Sequence, residues 1–168
     1  QVYFADEAQS EDRGGLARKI KELILAIQLE RMYSKDEIIV TVGASEAIDL
    51  ALRAVVVDGD EVLIPQPSFV CYEPIVELAG GVPVVIELKA DNDFVLTPEQ
   101  LEEKITEKTK ILVLPYPSNP TGGIMRKEDL EKIAPIIKKH DIMVISDEIY
   151  AELTYSGERH VSIAEIDD

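Results

Sequence analysis

Cysteine, positive charge and long apolar runs are all scarce in this sequence of 168 residues. Its one cysteine, Cys71, has no partner within the chain for a disulfide, which suits a reducing compartment. Lys and Arg number 17 against 33 Asp and Glu, a net charge of −16. A surface that acidic repels phosphate backbones and anionic lipid heads, which argues against nucleic acid or a membrane surface as partner. No apolar run reaches the roughly 18 residues of a membrane span, and no signal-peptide pattern opens the chain. The expectation is a soluble, cytoplasmic protein. Gly and Pro, at nine each, leave no low-complexity tract or internal linker. What is present is an ordinary globular composition, 46% apolar and 30% charged.

Residues 1–14 are polar and acidic, and Gly14-Gly15 sets them apart from the rest of the chain. From Leu16 the apolar positions recur at helical spacing, through Ile20, Leu23, Ile24 and Ile27, with Leu25, Leu29 and Met32 as a second stripe. Such a helix is buried on two sides or meets a partner. Beyond residue 36 short apolar runs alternate with helical patterns. The runs Ile38–Val42, Glu61–Pro65, Val82–Ile86, Ile111–Pro115 and Met143–Ser146 predict strands, continuous rather than alternating, as in parallel sheets covered on both faces. Helices are expected near 46–56, 69–79, 97–106 and 126–139. Thr97-Pro98-Glu99-Gln100 is a strong helix start, and Pro135 should bend or divide the last helix. The predicted fold is α/β, a three-layer αβα sandwich around a mostly parallel sheet. The expected organisation is a polar segment and helix over 1–36 and a main body over 37–168.

Ligands of open parallel sheets bind beyond the carboxyl ends of the strands, so the residues just after each strand matter most. Gly43-Ala44-Ser45 precedes a helix whose free N–H groups favour an anion such as phosphate. Read alone, it is more often a plain turn capped by Ser45. The loop 116–123, with two prolines and two glycines, presents Asn119 or is simply a rigid connector. Asp147 ends a buried strand, where a carboxylate needs a partner, and Tyr150 comes three residues later. Phe69 is either core or a flat face for a planar ligand. Cys71 reads as a small packed residue, and His140 and His160 look solvated, with no metal-ligand spacing.

Taken together, the stretches TVGASEAIDLALRA, GDEVLIPQPSFVCYEP, AGGVPV, YPSNPTGG and VISDEIYAEL, in this order from about Glu37 to Leu153, resemble the class I/II aminotransferases of the aspartate aminotransferase fold. That family uses pyridoxal 5′-phosphate (PLP). The resemblance implies that Gly43, Ala44 and Ser45 cradle the cofactor phosphate and that Phe69 stacks on the pyridine ring. It implies that Asn119 and Tyr150 share the ring's phenolic oxygen and that Asp147 pairs with the ring nitrogen. It also implies cis bonds before Pro67 and Pro120.

The implied activity moves an amino group between an amino acid and a 2-oxo acid, in a homodimer. A cysteine-sulfur lyase of the same fold, or a catalytically silent binding or assembly module, are the competing readings. The family's Schiff-base lysine falls well past the matched tyrosine, whereas the sequence ends at Asp168, 18 residues beyond Tyr150. No catalytic lysine and no metal ligand are therefore assigned, Tyr3 is not given the role of the family's N-terminal tyrosine, and these 168 residues are expected to be an inactive piece of a longer enzyme.

Overall fold

A computed structural model of the chain describes residues 38–155 and 157–166. The expectations for 1–36, including the helix from Leu16, lie outside the described residues. The chain comprises two units, Gln1–Leu50 and Ala51–Asp168.

In the first unit Ile38, Thr41, Ala47 and Ile48 are buried. The strand expected at Ile38–Val42 does not form, because a strand needs a ladder partner and no described segment hydrogen-bonds to these residues as one. Helix α1 (Ala44–Val55) begins directly after Gly43, two residues earlier than expected. Gly43 has φ of +87°, a left-handed conformation that costs glycine little, and it turns the chain into the helix. Ser45 thus lies inside the first turn instead of capping it.

The second unit holds a four-stranded, wholly parallel sheet. Its strands are β1 (Glu61–Gln66), β2 (Val82–Glu87), β3 (Thr109–Leu114) and β4 (Met143–Ser146), in the order β2-β1-β3-β4. Successive residues of a strand point to opposite faces, and Val62, Leu63 and Ile64 are all 0% exposed, so both faces of β1 are covered. This is why β1, and β3 beside it, read as unbroken apolar runs. Helices α2 (Tyr72–Leu78), α3 (Pro98–Lys104) and α4 (Lys127–Lys139) make the crossovers. Leu63, Ile86, Leu101, Leu112, Leu130 and Ile133 belong to one core cluster between them.

The capping box expected at α3 is formed: the Gln100 N–H donates to Thr97 Oγ1 at 3.3 Å and the Thr97 N–H to Gln100 Oε1 at 3.1 Å. Helix α4 runs through Pro135 without being divided. Pro135 and Glu131, whose carbonyl loses its donor, are both exposed, so water can serve that carbonyl while Ile133, Ile136 and Ile137 stay buried.

The strand order sets the position of any ligand. From β1 the chain winds outward to β2, then returns to place β3 on the other side of β1. Such a reversal opens a crevice at the carboxyl ends of the two strands that diverge from it. Three cis peptide bonds, Gln66-Pro67, Tyr116-Pro117 and Asn119-Pro120, lie in the two loops that leave β1 and β3 at that edge. The first and third are expected from the sequence, whereas the second is not.

Candidate functional site

Of the loops that leave the carboxyl edge of the sheet, those after β1, β3 and β4 carry the candidate residues of this unit. The loop after β1 carries Phe69 and leads into α2, whose first residue, Tyr72, is 2% exposed. Phe69 and Tyr72 meet edge to face, with ring centroids 6.0 Å apart and planes at 84°. This is a favoured aromatic arrangement, and it leaves Phe69 itself half-buried. At the base of the loop the Gln66 amide donates to the Glu73 carboxylate, tying the end of β1 to the first turn of α2.

Asp147 comes directly after β4, and its N–H donates to Leu114 O, which extends the β3–β4 ladder by one residue. The Tyr72 hydroxyl donates to Asp147 Oδ2 at 2.7 Å, and the Ile149 N–H donates to Oδ1 at 3.2 Å. A carboxylate has about four acceptor sites, so these two bonds orient Asp147 and leave capacity for another donor. Burial, and next the negative charge of Asp147, push the Tyr72 phenol far above its ordinary range; Tyr150 and Cys71 add smaller effects in the same direction. Tyr72 therefore remains a proton donor at any physiological pH. Phe69, Tyr72, Asp147, Tyr150 and Cys71 form one neighbourhood, and Cys71 is half-buried within it.

The loop after β3 folds back on itself. The Ser118 N–H donates to Gly123 O at 2.9 Å, and the Gly122 N–H to Ser118 O at 2.8 Å. Gly123 is held close to the backbone of Asp93: a Cβ there would lie 2.8 Å from Asp93 O. Asn119 projects from this loop as an exposed residue at the same edge. One residue before it, Ser118 Oγ is buried and has no hydrogen-bond partner among the described residues. In the first unit the space beside Gly43 is open, Ala44 is half-buried and Ser45 is exposed at the start of α1.

Sequence reasoning misses two features of this edge. Tyr72 looks like any packed aromatic, although its i, i+3 spacing from Phe69 is a signal that could single it out. His160 looks solvated, yet its side chain is only 14% exposed and its Nε2 lies 3.2 Å from Glu148 Oε2. Its neighbours Glu158 and Arg159 are charged and exposed, and they disguise it. The contact falls outside strict hydrogen-bond geometry at Nε2.

An oriented carboxylate with spare acceptor capacity, joined through Tyr72 to the half-buried Phe69, suits a protonated ring nitrogen. Among the described residues no group of three His, Cys, Asp or Glu could hold a metal ion, and no helix is long and apolar enough to cross a membrane.

Comparison with known proteins points the same way. The family model for aminotransferase class I and II matches residues 14–168. An aspartate aminotransferase of Pyrococcus abyssi is 48% identical over 131 residues, which is 78% of this chain and 34% of that protein. An aspartate aminotransferase of Bacillus subtilis is 46% identical over 136 residues, 81% of this chain and 35% of that protein. The crystal structure of an aromatic aminotransferase from Pyrococcus horikoshii superposes with a TM-score of 0.82 at 38% identity, covering 89% of this chain and 41% of the other. The chain thus spans about a third of the length of the curated relatives it matches.

Proposed function

The chain belongs to the class I and II aminotransferases, and from that premise we propose that the protein moves an amino group between an amino acid and a 2-oxo acid with PLP as cofactor. The observation that carries this reading is the Asp147 carboxylate, oriented by the hydroxyl of Tyr72, whose ring meets Phe69 edge to face. The donor set fits PLP: a carboxylate for the ring nitrogen, an aromatic face for the ring, polar groups at the same edge for its oxygen. Bound PLP supplies an electron sink for the α-carbon of the amino acid.

The roles of the chain's own residues come from charge and shape. Asp147 holds a proton on the ring nitrogen, because its carboxylate favours the cationic form of the ring. Phe69 stacks against the ring and excludes water from one face. Asn119 and Tyr150 bind the phenolic oxygen. Gly43, Ala44 and Ser45 receive the phosphate at the N-terminus of α1, where unpaired N–H groups favour an anion. The division into a segment over 1–36 and a PLP-binding body over 37–168, a cytoplasmic location and a homodimer complete the proposal. The single cysteine supports a reducing compartment. The relatives found are aminotransferases, which does not favour the lyase or silent-module readings.

The test is amino transfer by the full protein with a panel of acidic and aromatic amino acids and 2-oxo acids. Transfer that requires PLP, and that falls at least roughly a hundredfold in Asp147→Ala, is the expected result. A full protein that binds no PLP overturns the reading.

A further inference from the structure

Asp147 and Glu148 are adjacent carboxylates, yet separate sets of partners hold them. Asp147 takes its hydrogen bond from Tyr72 on α2. Glu148 Oε1 accepts from Ser146 Oγ at 2.7 Å and from Ser162 Oγ at 2.6 Å, and Oε2 faces His160 Nε2 at 3.2 Å. Consecutive residues at the end of a strand point to opposite sides, which lets the two carboxylates diverge.

Glu148 thereby joins two segments distant in sequence. Ser146 is the last residue of β4. Ser162 is the cap of a short 3₁₀ turn, Ile163–Glu165; the Ala164 N–H donates to its Oγ at 3.2 Å and its own N–H to Glu165 Oε1 at 3.1 Å. Arg159 Nη2 in turn lies 3.1 Å from Glu165 Oε2, which braces the segment carrying His160. Burial opposes ionisation of Glu148, but the contacts from His160, Ser162 and Ser146 outweigh it and hold the carboxyl below its usual range. The anchor is thus an anion at neutral pH, and hydrogen bonds to a charged group are stronger than those between neutral groups. From Glu148 to Leu153 the backbone forms two tight turns that include Tyr150, with the Ala151 N–H donating to Glu148 O at 2.9 Å and the Leu153 N–H to Tyr150 O at 2.9 Å.

We propose that Glu148 is a positioning residue for Asp147 and Tyr150: its carboxylate, gripped by Ser146, Ser162 and His160, fixes the turn that presents both to PLP. The inference rests on the reading of Asp147 and Tyr150 as PLP-binding residues. Glu148 itself touches no cofactor in this scheme. It acts by denying the turn the freedom to rotate Asp147 away from the ring nitrogen.

The test uses the full protein and two readouts other than turnover, PLP affinity by equilibrium dialysis and the induced circular dichroism of bound PLP, which reports the setting of the ring. Glu148→Ala, which removes all three contacts, should weaken PLP binding roughly tenfold and change the induced signal. Glu148→Gln keeps an oxygen for the two serines and should restore both readouts to near wild-type. Ser146→Ala removes one bond and should show a smaller loss, and it keeps the proposal testable if Glu148→Ala does not fold. Leu101→Ala serves as the control for lowered stability alone, since Leu101 is a core residue of α3, and it should bind PLP normally. Wild-type affinity and signal in Glu148→Ala, or in Ser146→Ala if only that variant folds, would overturn the proposal. So would an equal loss in Leu101→Ala, or no rescue by Glu148→Gln. A wild-type protein that takes up no PLP would instead overturn the cofactor reading, and this inference with it.

Discussion

At the scale of single residues, the Tyr72–Asp147 contact carries most of the interpretation. A buried phenol facing a carboxylate gives a strong, directional hydrogen bond, worth about 1.5–3 kcal/mol when the acceptor is charged. Tyr72→Phe keeps the ring contact with Phe69 and removes only that donor. The expected outcome is a loss of stability of about that size in urea unfolding, together with weaker PLP binding because Asp147 is freed to turn. Unchanged stability would mean that water replaces the hydroxyl at no cost. Glu148 gives a second prediction, in pH. Its carboxyl titrates lower in the folded protein than its ordinary value of 4.5. A depressed folded value means stabilisation that is fully present above about 4.5 and is lost as pH falls through the lower folded value. The gap in melting temperature between wild type and Glu148→Gln should therefore narrow as pH is lowered from 7 to about 3.5. A gap that stays constant over that range would show that the charge of Glu148 contributes nothing.

At the scale of elements, the readable parts of the fold are those that local physics determines. The runs at Glu61–Pro65 and Ile111–Pro115 read as strands because a sheet covered on both faces buries so continuous an apolar stretch. Thr97, Pro98 and Gln100 announce α3 because each satisfies or forgoes a backbone donor at the helix start. Ile38–Val42 has the same composition but no ladder partner among the described residues, and composition carries no information about partners. The site divides along the same line. Phe69, Asn119, Asp147 and Tyr150 stand just after strands, where topology sends ligands. Tyr72 and His160 depend on long-range contacts, Tyr72 reaching Asp147 across 75 positions, and no periodicity records these. Thr97→Ala tests the local half of this account. It should cost about 1 kcal/mol of stability through the lost cap and leave PLP binding unaltered. A change in PLP affinity would show that α3 is coupled to the site.

At the scale of the whole molecule, the net charge of −16 and the carboxyl-edge site pull against each other. The proposed cofactor carries a phosphate, so in these 168 residues it meets a net charge of its own sign, and the proposed phosphate site is a local patch of backbone N–H groups. Most charged proteins that bind oppositely charged ligands lose association rate as salt is added, since salt screens the attraction that steers them. Here the long-range term is repulsive, and screening should work the other way. Raising NaCl from about 0.01 M to about 1 M shortens the Debye length from about 30 Å to about 3 Å, which removes the far field and leaves the contacts made within the site. The association rate of PLP with the full protein should rise over that range, most steeply at its low end, while the dissociation rate changes less. Stopped-flow absorbance at several salt concentrations measures both. A rate that falls with salt would mean that the local field at the edge is positive enough to dominate the approach, and that the acidic residues are kept to surfaces far from it.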